Sequence, residues 1–139
     1  MIYLIIAIIL VAAIAPILHF LPTQRQRLIA QLRDAAVKIG LFVEFRSDHV
    51  LEKYFLSLDV QFADIIFYGL RIPLAANIER SKEIWLRDGD GWSSRNGAKG
   101  FPKILNSLPN DVLAACADNR CVGVYWTENG EVKDVENIR

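Results

Sequence analysis

Histidine and cysteine are scarce in this chain, two of each in 139 residues. Two cysteines are too few for a disulfide scaffold. Cys116 and Cys121 form a lone pair with four residues between them, and no second pair exists. His19 sits in an apolar run and His49 stands beside Asp48 and Glu52. A zinc site therefore lacks ligands, and His49 reads as a solvated side chain near a helix start. Charge of one sign is also missing. Sixteen Lys and Arg balance sixteen Asp and Glu, which excludes the strongly basic domain of a general nucleic-acid binder. Phosphate loops are absent: Gly89-x-Gly91 and Gly97-x-x-Gly100 neither continue as GxGxxG nor end in Gly-Lys-Ser/Thr. Asp88-Gly89-Asp90-Gly91 lacks the third acid and the bidentate Glu of a calcium loop. Asp59, Asp64 and Glu79 carry no pairing motif that would support general acid–base catalysis. No repeat, heptad run or low-complexity segment is visible. No catalytic residue, cofactor or metal site is expected.

What the chain does have is oil at its front. Ile2 to Leu21 is a twenty-residue run without a charge, and thirteen of its residues are Ile, Leu, Val or Phe. As a helix it would rise roughly 30 Å, the thickness of a bilayer's hydrocarbon core. Those thirteen side chains would favour the membrane by roughly 4–8 kcal/mol on an insertion scale. A cleaved signal peptide fits less well. The positive n-region is missing, and the run exceeds the roughly 7–15 residues of an h-region. Ala13-Ile14-Ala15 has the form of a cleavage site, but Pro16 follows it. A buried core helix apolar on every face would need a larger protein around it. The run is therefore expected to be a transmembrane anchor over 1–22. Arg25, Arg27, Arg33 and Lys38 follow it and no basic side chain precedes it. The positive-inside rule then puts a short N-terminus outside and the rest in the cytoplasm.

An amphipathic juxtamembrane helix is expected over 23–40. Thr23 and Gln26 have capping-box spacing. Leu28, Ile29, Leu32, Ala35, Ala36 and Ile39 share one face, and Gly40 suits the stop. That face either packs on the domain's own sheet or lies on a membrane or partner helix, with Arg25 and Arg27 near anionic headgroups.

Residues 41–139 read as a small α+β domain with a mixed or antiparallel sheet and one or two helices packed on it. Strands are expected over 41–46, in 60–72, over 83–87 and 91–94, over 121–127 and over 131–135. A helix is possible at 49–58, capped by Ser47 or Asp48. Asp88-Gly89-Asp90 is a strong turn signal, 95–102 reads as a loop, and a helix is expected within 103–117, after Pro109. The expected core includes Phe42, Phe45, Ile66, Tyr68, Leu70, Trp85, Leu113, Val122, Val124 and Trp126. Cys116 and Cys121 could be close enough to bridge, but two small buried thiols fit a cytoplasmic domain better.

In the hairpin, Arg87 would face Trp92 across the turn with Trp85 on the same face, allowing a cation–π contact. Two tryptophans and an arginine are also hot-spot residue types, although ordinary cross-strand packing explains them as well. The layout resembles small single-pass bacterial inner-membrane proteins of uncharacterised function. The residues that carry the resemblance are Pro22, Arg25-Gln26-Arg27 and Val122-Gly123-Val124-Tyr125-Trp126. It implies an inner-membrane location and no activity. The expected function is a non-catalytic interaction or assembly module, whose partners are the lipid bilayer and another membrane or peripheral protein. Its candidate contact residues are Arg25, Arg27, Trp85, Arg87 and Trp92. The alternatives are a tethered enzyme with a nonstandard site, which needs a concave pocket with convergent polar groups, and a periplasmic-facing sensor if the topology is reversed.

Overall fold

The computed structural model describes residues 2–19, 22–73, 81–96 and 102–139. Phe20 and Leu21 at the end of the apolar run, Glu79, and Gly97 and Gly100 in the 95–102 loop lie outside the described residues. The chain divides into two units, 1–30 and 31–139.

The first unit contains α1 (Ile2–His19) and the start of α2 (Gln24–Lys38). Here the transmembrane expectation is corrected. Among the described residues no helix is long and apolar enough to cross a membrane. α1 covers eighteen of the twenty residues of the apolar run, Ile2–His19. The twenty-residue count had taken in Phe20 and Leu21. The inner-membrane location and the orientation derived from it fall with the span. α2 opens with a reciprocal capping box. The Thr23 N–H donates to Gln26 Oε1 at 2.9 Å and the Gln26 N–H to Thr23 Oγ1 at 3.2 Å. Its end is closed by Gly40 at φ +88°, where the Leu41 N–H reaches back to the Ala36 carbonyl at 3.0 Å.

The second unit is α+β, built on a six-stranded antiparallel sheet. Its strands are β1 (Phe42–Glu44), β2 (Ile66–Arg71), β3 (Glu83–Asp88), β4 (Gly91–Ser94), β5 (Val112–Ala117) and β6 (Cys121–Trp126). Their order is β1-β2-β6-β5-β3-β4. Two tight hairpins organise it. At Asp88–Gly91, Gly89 takes φ +57°, a conformation costly for a residue with a Cβ. Between β5 and β6, the Asp118 side chain accepts the N–H groups of Arg120 and Cys121 at 2.7 and 2.8 Å. This Asx-type geometry fixes the turn. The β5–β6 hairpin lies between β2 and β3, so the chain's last two strands form the centre of the sheet.

Two expected elements are corrected. Lys103 to Ala117 is not a helix: a short 3-10 segment, Lys103–Ser107, precedes a turn closed by the Val112 N–H on the Pro109 carbonyl, and β5 follows. The alanines of VLAACA favour a helix locally, but pairing to β3 on one side and β6 on the other outweighs that preference. Glu131 to Val135 is not a strand. It belongs to α4 (Val132–Ile138), capped reciprocally by Glu131 and Asp134. The long 60–72 segment begins with a 3-10 turn, Phe62–Asp64, before β2.

Helix α3 (His49–Ser57) covers one face of the sheet. Asp48 caps it, accepting the Val50 N–H at 2.9 Å. Leu51 and Phe55 enter a core with Ile65, Phe67, Ile84, Leu86, Cys116 and Tyr125. The Phe55 and Phe67 rings sit 5.8 and 5.0 Å from that of Tyr125, tilted as aromatic pairs prefer. Of the expected core, Phe45 is instead 68% exposed. On the opposite face, α2 buries Leu32 and Ala36 completely. Arg33 forms a two-pronged bridge to Glu128, both contacts at 2.8 Å. The Tyr68 hydroxyl donates to the same carboxylate at 2.7 Å.

The acid side of the stability profile follows from Asp118. Burial pushes its carboxyl up, but the N–H groups of Arg120 and Cys121 and the Arg46 guanidinium hold it below the usual range. A depressed carboxylate stabilises the fold above its unfolded value of about 4, and that contribution is lost as pH falls through the folded value. Stability to urea should therefore drop below about pH 4, and Asp118→Asn should flatten that part of the curve. An equally steep acid limb in the variant would refute the assignment.

Candidate ligand-binding cleft

The sheet face opposite α3 carries two parallel rows of side chains, set by strand register. One row runs Tyr68, Val124, Ala115, Trp85 across β2, β6, β5 and β3. The next runs Leu70, Val122, Ala117, Glu83. Alternation along each strand puts both rows on one side. Ala115 and Ala117 are the small members, and they lie mid-sheet, where a larger residue would fill the space. The result is a cleft of about 660 Å³ floored by these rows. Its walls are Pro102, Ile104, Leu105 and Leu108 around the 3-10 segment, the end of α4 at Asn137 to Arg139, and Leu41 after α2. The volume lies in the usual range for small-molecule sites. Leu70 and Val122, read from the sequence as core, are 36% and 41% exposed on this floor.

Chemically the cleft is quiet. Cys116 contributes no thiol chemistry to it: its side chain joins the core under α3, and burial pushes that thiol up to about 12. The Tyr68 hydroxyl is raised well above its ordinary range, by burial and then by Glu128, to which it donates. Ser81, Glu83, Asn137 and Arg139 supply the remaining polar side chains. Among the described residues no group of three His, Cys, Asp or Glu could hold a metal ion.

The candidate contact residues are scattered. Arg25 and Arg27 lie exposed on α2, in the first unit. Arg87 stands opposite Trp92, its guanidinium 5.4 Å from the ring centroid. It also donates to the Pro109 carbonyl at 2.8 Å and to Asn110 Oδ1 at 3.1 Å. Trp85 and Trp92 are both buried, at 6% and 7% exposure. Of the five, only Trp85 lines the cleft. His49 opens α3 with an exposed side chain 3.5 Å from Glu52.

Cys116 and Cys121 are both free, buried thiols. Arg46 donates to Cys121 Sγ at 3.1 Å and to Asp118 Oδ2 at 3.0 Å, and its guanidinium lies 5.1 Å from the Phe67 ring centroid. Despite that cation, burial raises the Cys121 thiol. Neither sulfur should therefore act as a nucleophile near neutral pH. A thiol reagent at pH 8 should label the folded protein at least about tenfold more slowly than the urea-unfolded chain. Rapid labelling of either cysteine in the native state would refute this.

Sequence reading missed the cleft because its floor depends on which strands become neighbours. It also missed the Arg33–Glu128–Tyr68 cluster, whose members are far apart in the chain. Comparison with protein-family models, curated proteins and solved structures finds no match. The fold and cleft define a class only: a small α+β domain whose antiparallel sheet floors an apolar pocket.

Proposed function

We propose that the 31–139 unit is a non-catalytic binding module whose cleft takes a small, mainly apolar molecule. The observation that carries this reading is the 660 Å³ cleft, with its floor of Leu70, Val122, Val124 and two alanines. An exposed apolar concavity of this size on a sheet is a typical ligand site. A catalytic role is less well supported. The cleft's tyrosine hydroxyl is engaged by Glu128, and the Cys116 thiol belongs to the core on the α3 side of the sheet, where burial keeps it protonated near neutral pH.

The test is titration of the full chain with N-phenylnaphthylamine, an uncharged dye that brightens in apolar surroundings. Saturable one-to-one binding is expected. Val122→Trp places a large ring on the cleft floor at a position already 41% exposed, so the fold should tolerate it. It should weaken dye binding about tenfold or more, an amount equal to about 1.4 kcal/mol. Absence of saturable binding, or full affinity in a folded Val122→Trp variant, would defeat the proposal.

A further inference from the structure

One buried polar atom in the cleft wall has no partner among the described residues. The Trp85 indole Nε1–H is shut off from solvent and meets no acceptor among the described residues. Trp85 is 6% exposed and lines the cleft. Trp126, equally deep in the sheet, donates its indole N–H to the Asp111 carboxylate. A buried donor without an acceptor carries the full cost of its lost hydration, and the great majority of such groups in folded proteins are satisfied. A ligand that brings an acceptor removes that cost, whereas a pure hydrocarbon does not.

The surroundings also restrict the ligand's charge. Glu83 lies two residues from Trp85 on the same face of β3 and lines the same cleft, so an anionic head group at Trp85 would face a carboxylate. Arg139 is the cationic side chain among the described lining residues, and it is exposed. The floor around Ala115, Val122 and Val124 has nothing to pair with a buried charge, which is costly when unpaired. An indole N–H is a neutral donor suited to a neutral acceptor.

Building on the binding role proposed above, we infer that the cleft selects an uncharged, mainly apolar molecule carrying a carbonyl oxygen, which accepts the Trp85 indole N–H. Because Nε1 is closed off in this structure, the carbonyl reaches it as the side chains around the ring part. Binding therefore changes the environment of that one N–H directly.

The experiment compares three probes of similar length on the full chain: methyl nonyl ketone, undecene and decanoate. Affinities are read by displacement of N-phenylnaphthylamine. The indole N–H signals of the three tryptophans are followed by ¹⁵N NMR and assigned with Trp85→Phe. The ketone should bind about three- to tenfold more tightly than undecene, the worth of one hydrogen bond to a buried donor. It should also bind more tightly than decanoate and move the Trp85 indole proton downfield, which undecene should not do. In Trp85→Phe the ketone's advantage over undecene should disappear. Equal affinities for ketone and undecene in the native protein would overturn the inference and leave the cleft as an apolar site. Decanoate binding tightest would also overturn it, in favour of recognition by Arg139. If none of the three displaces bound dye, this inference fails while the binding role stands on the dye titration; if the dye itself does not bind, both fail. Should Trp85→Phe not fold, the native affinity order still decides the matter, and the Trp85 signal is assigned by elimination with Trp92→Phe and Trp126→Phe.

Discussion

Alanine at Gly123 should destabilise the protein by about 3 kcal/mol or more, at the severe end for a single methyl group. Gly123 in β6 stands directly opposite Gly69 in β2, in the middle of the ladder joining β1 and β2 to the other four strands. A Cβ there would collide with the Tyr68 carbonyl oxygen, approach the Gly69 Cα to 2.8 Å and approach Phe67 Cζ to 2.5 Å. Two of those three obstacles are backbone and cannot rotate aside. The third belongs to a ring with no exposed surface, packed against Tyr125. The β2–β6 ladder would have to separate. Gly69→Ala is the control. The nearest atoms its added Cβ would meet are ring carbons of Phe42 and Phe67, at 2.5–2.8 Å, and Phe42 is half-buried on an edge strand. The Phe42 ring can swing outward while the Phe67 ring, at 2.7 Å, has less room, so the cost should be about 2 kcal/mol, still below that of Gly123→Ala. Urea denaturation of both variants tests the order. A Gly69 variant less stable than the Gly123 variant would show that ring packing, not backbone contact, sets the limit.

The second large effect is expected at Arg33. Glu128 is 3% exposed and sits at φ +55°, a left-handed conformation unfavourable for a glutamate. It is held there by the two contacts from Arg33 and the one from Tyr68. Hydrogen bonding to Glu128 is the largest influence on the guanidinium and raises it above its ordinary value, against desolvation. Removing one partner of a wholly buried pair costs about 3–5 kcal/mol, because a charge is left unpaired. The Arg33 side chain is 38% exposed, so water can partly replace it and the expected loss for Arg33→Ala is about 2 kcal/mol. Glu128→Gly should cost less. The freed guanidinium can hydrate, and glycine relieves the left-handed backbone. Thermal unfolding of the two variants gives the comparison, and a Glu128→Gly protein less stable than Arg33→Ala would count against the pair as described.

Both clusters join residues distant in sequence, and neither was legible there. Gly123 read only as part of a strand, and Glu128 only as part of a turn. Of the cleft floor, Tyr68, Leu70, Trp85, Val122 and Val124 were recognised as apolar strand residues. Ala115 and Ala117, whose small size leaves the space, were assigned to a helix. The turn formed by Asp88 and Gly89 and the Arg87–Trp92 juxtaposition were readable, because a hairpin's register follows from its own turn.

By itself the sequence determined what depends on neighbours three or four residues away. The Thr23–Gln26 capping box, the Gly40 stop, a cap at Ser47 or Asp48 and the Asp88–Gly91 hairpin rest on local hydrogen bonds and tolerated φ angles, which need no distant partner. It also determined an antiparallel-compatible α+β composition. Tertiary structure alone decided that VLAACA is a central strand, because hydrogen bonding on both sides outweighs the helical preference of alanine. It decided that Arg33 should meet Glu128 and that an alanine floor should lie between Trp85 and Val124. Each of these depends on which strands became neighbours, and that is settled by burying Leu51 and Phe55 of α3 against one face of the sheet and Leu32 and Ala36 on the other.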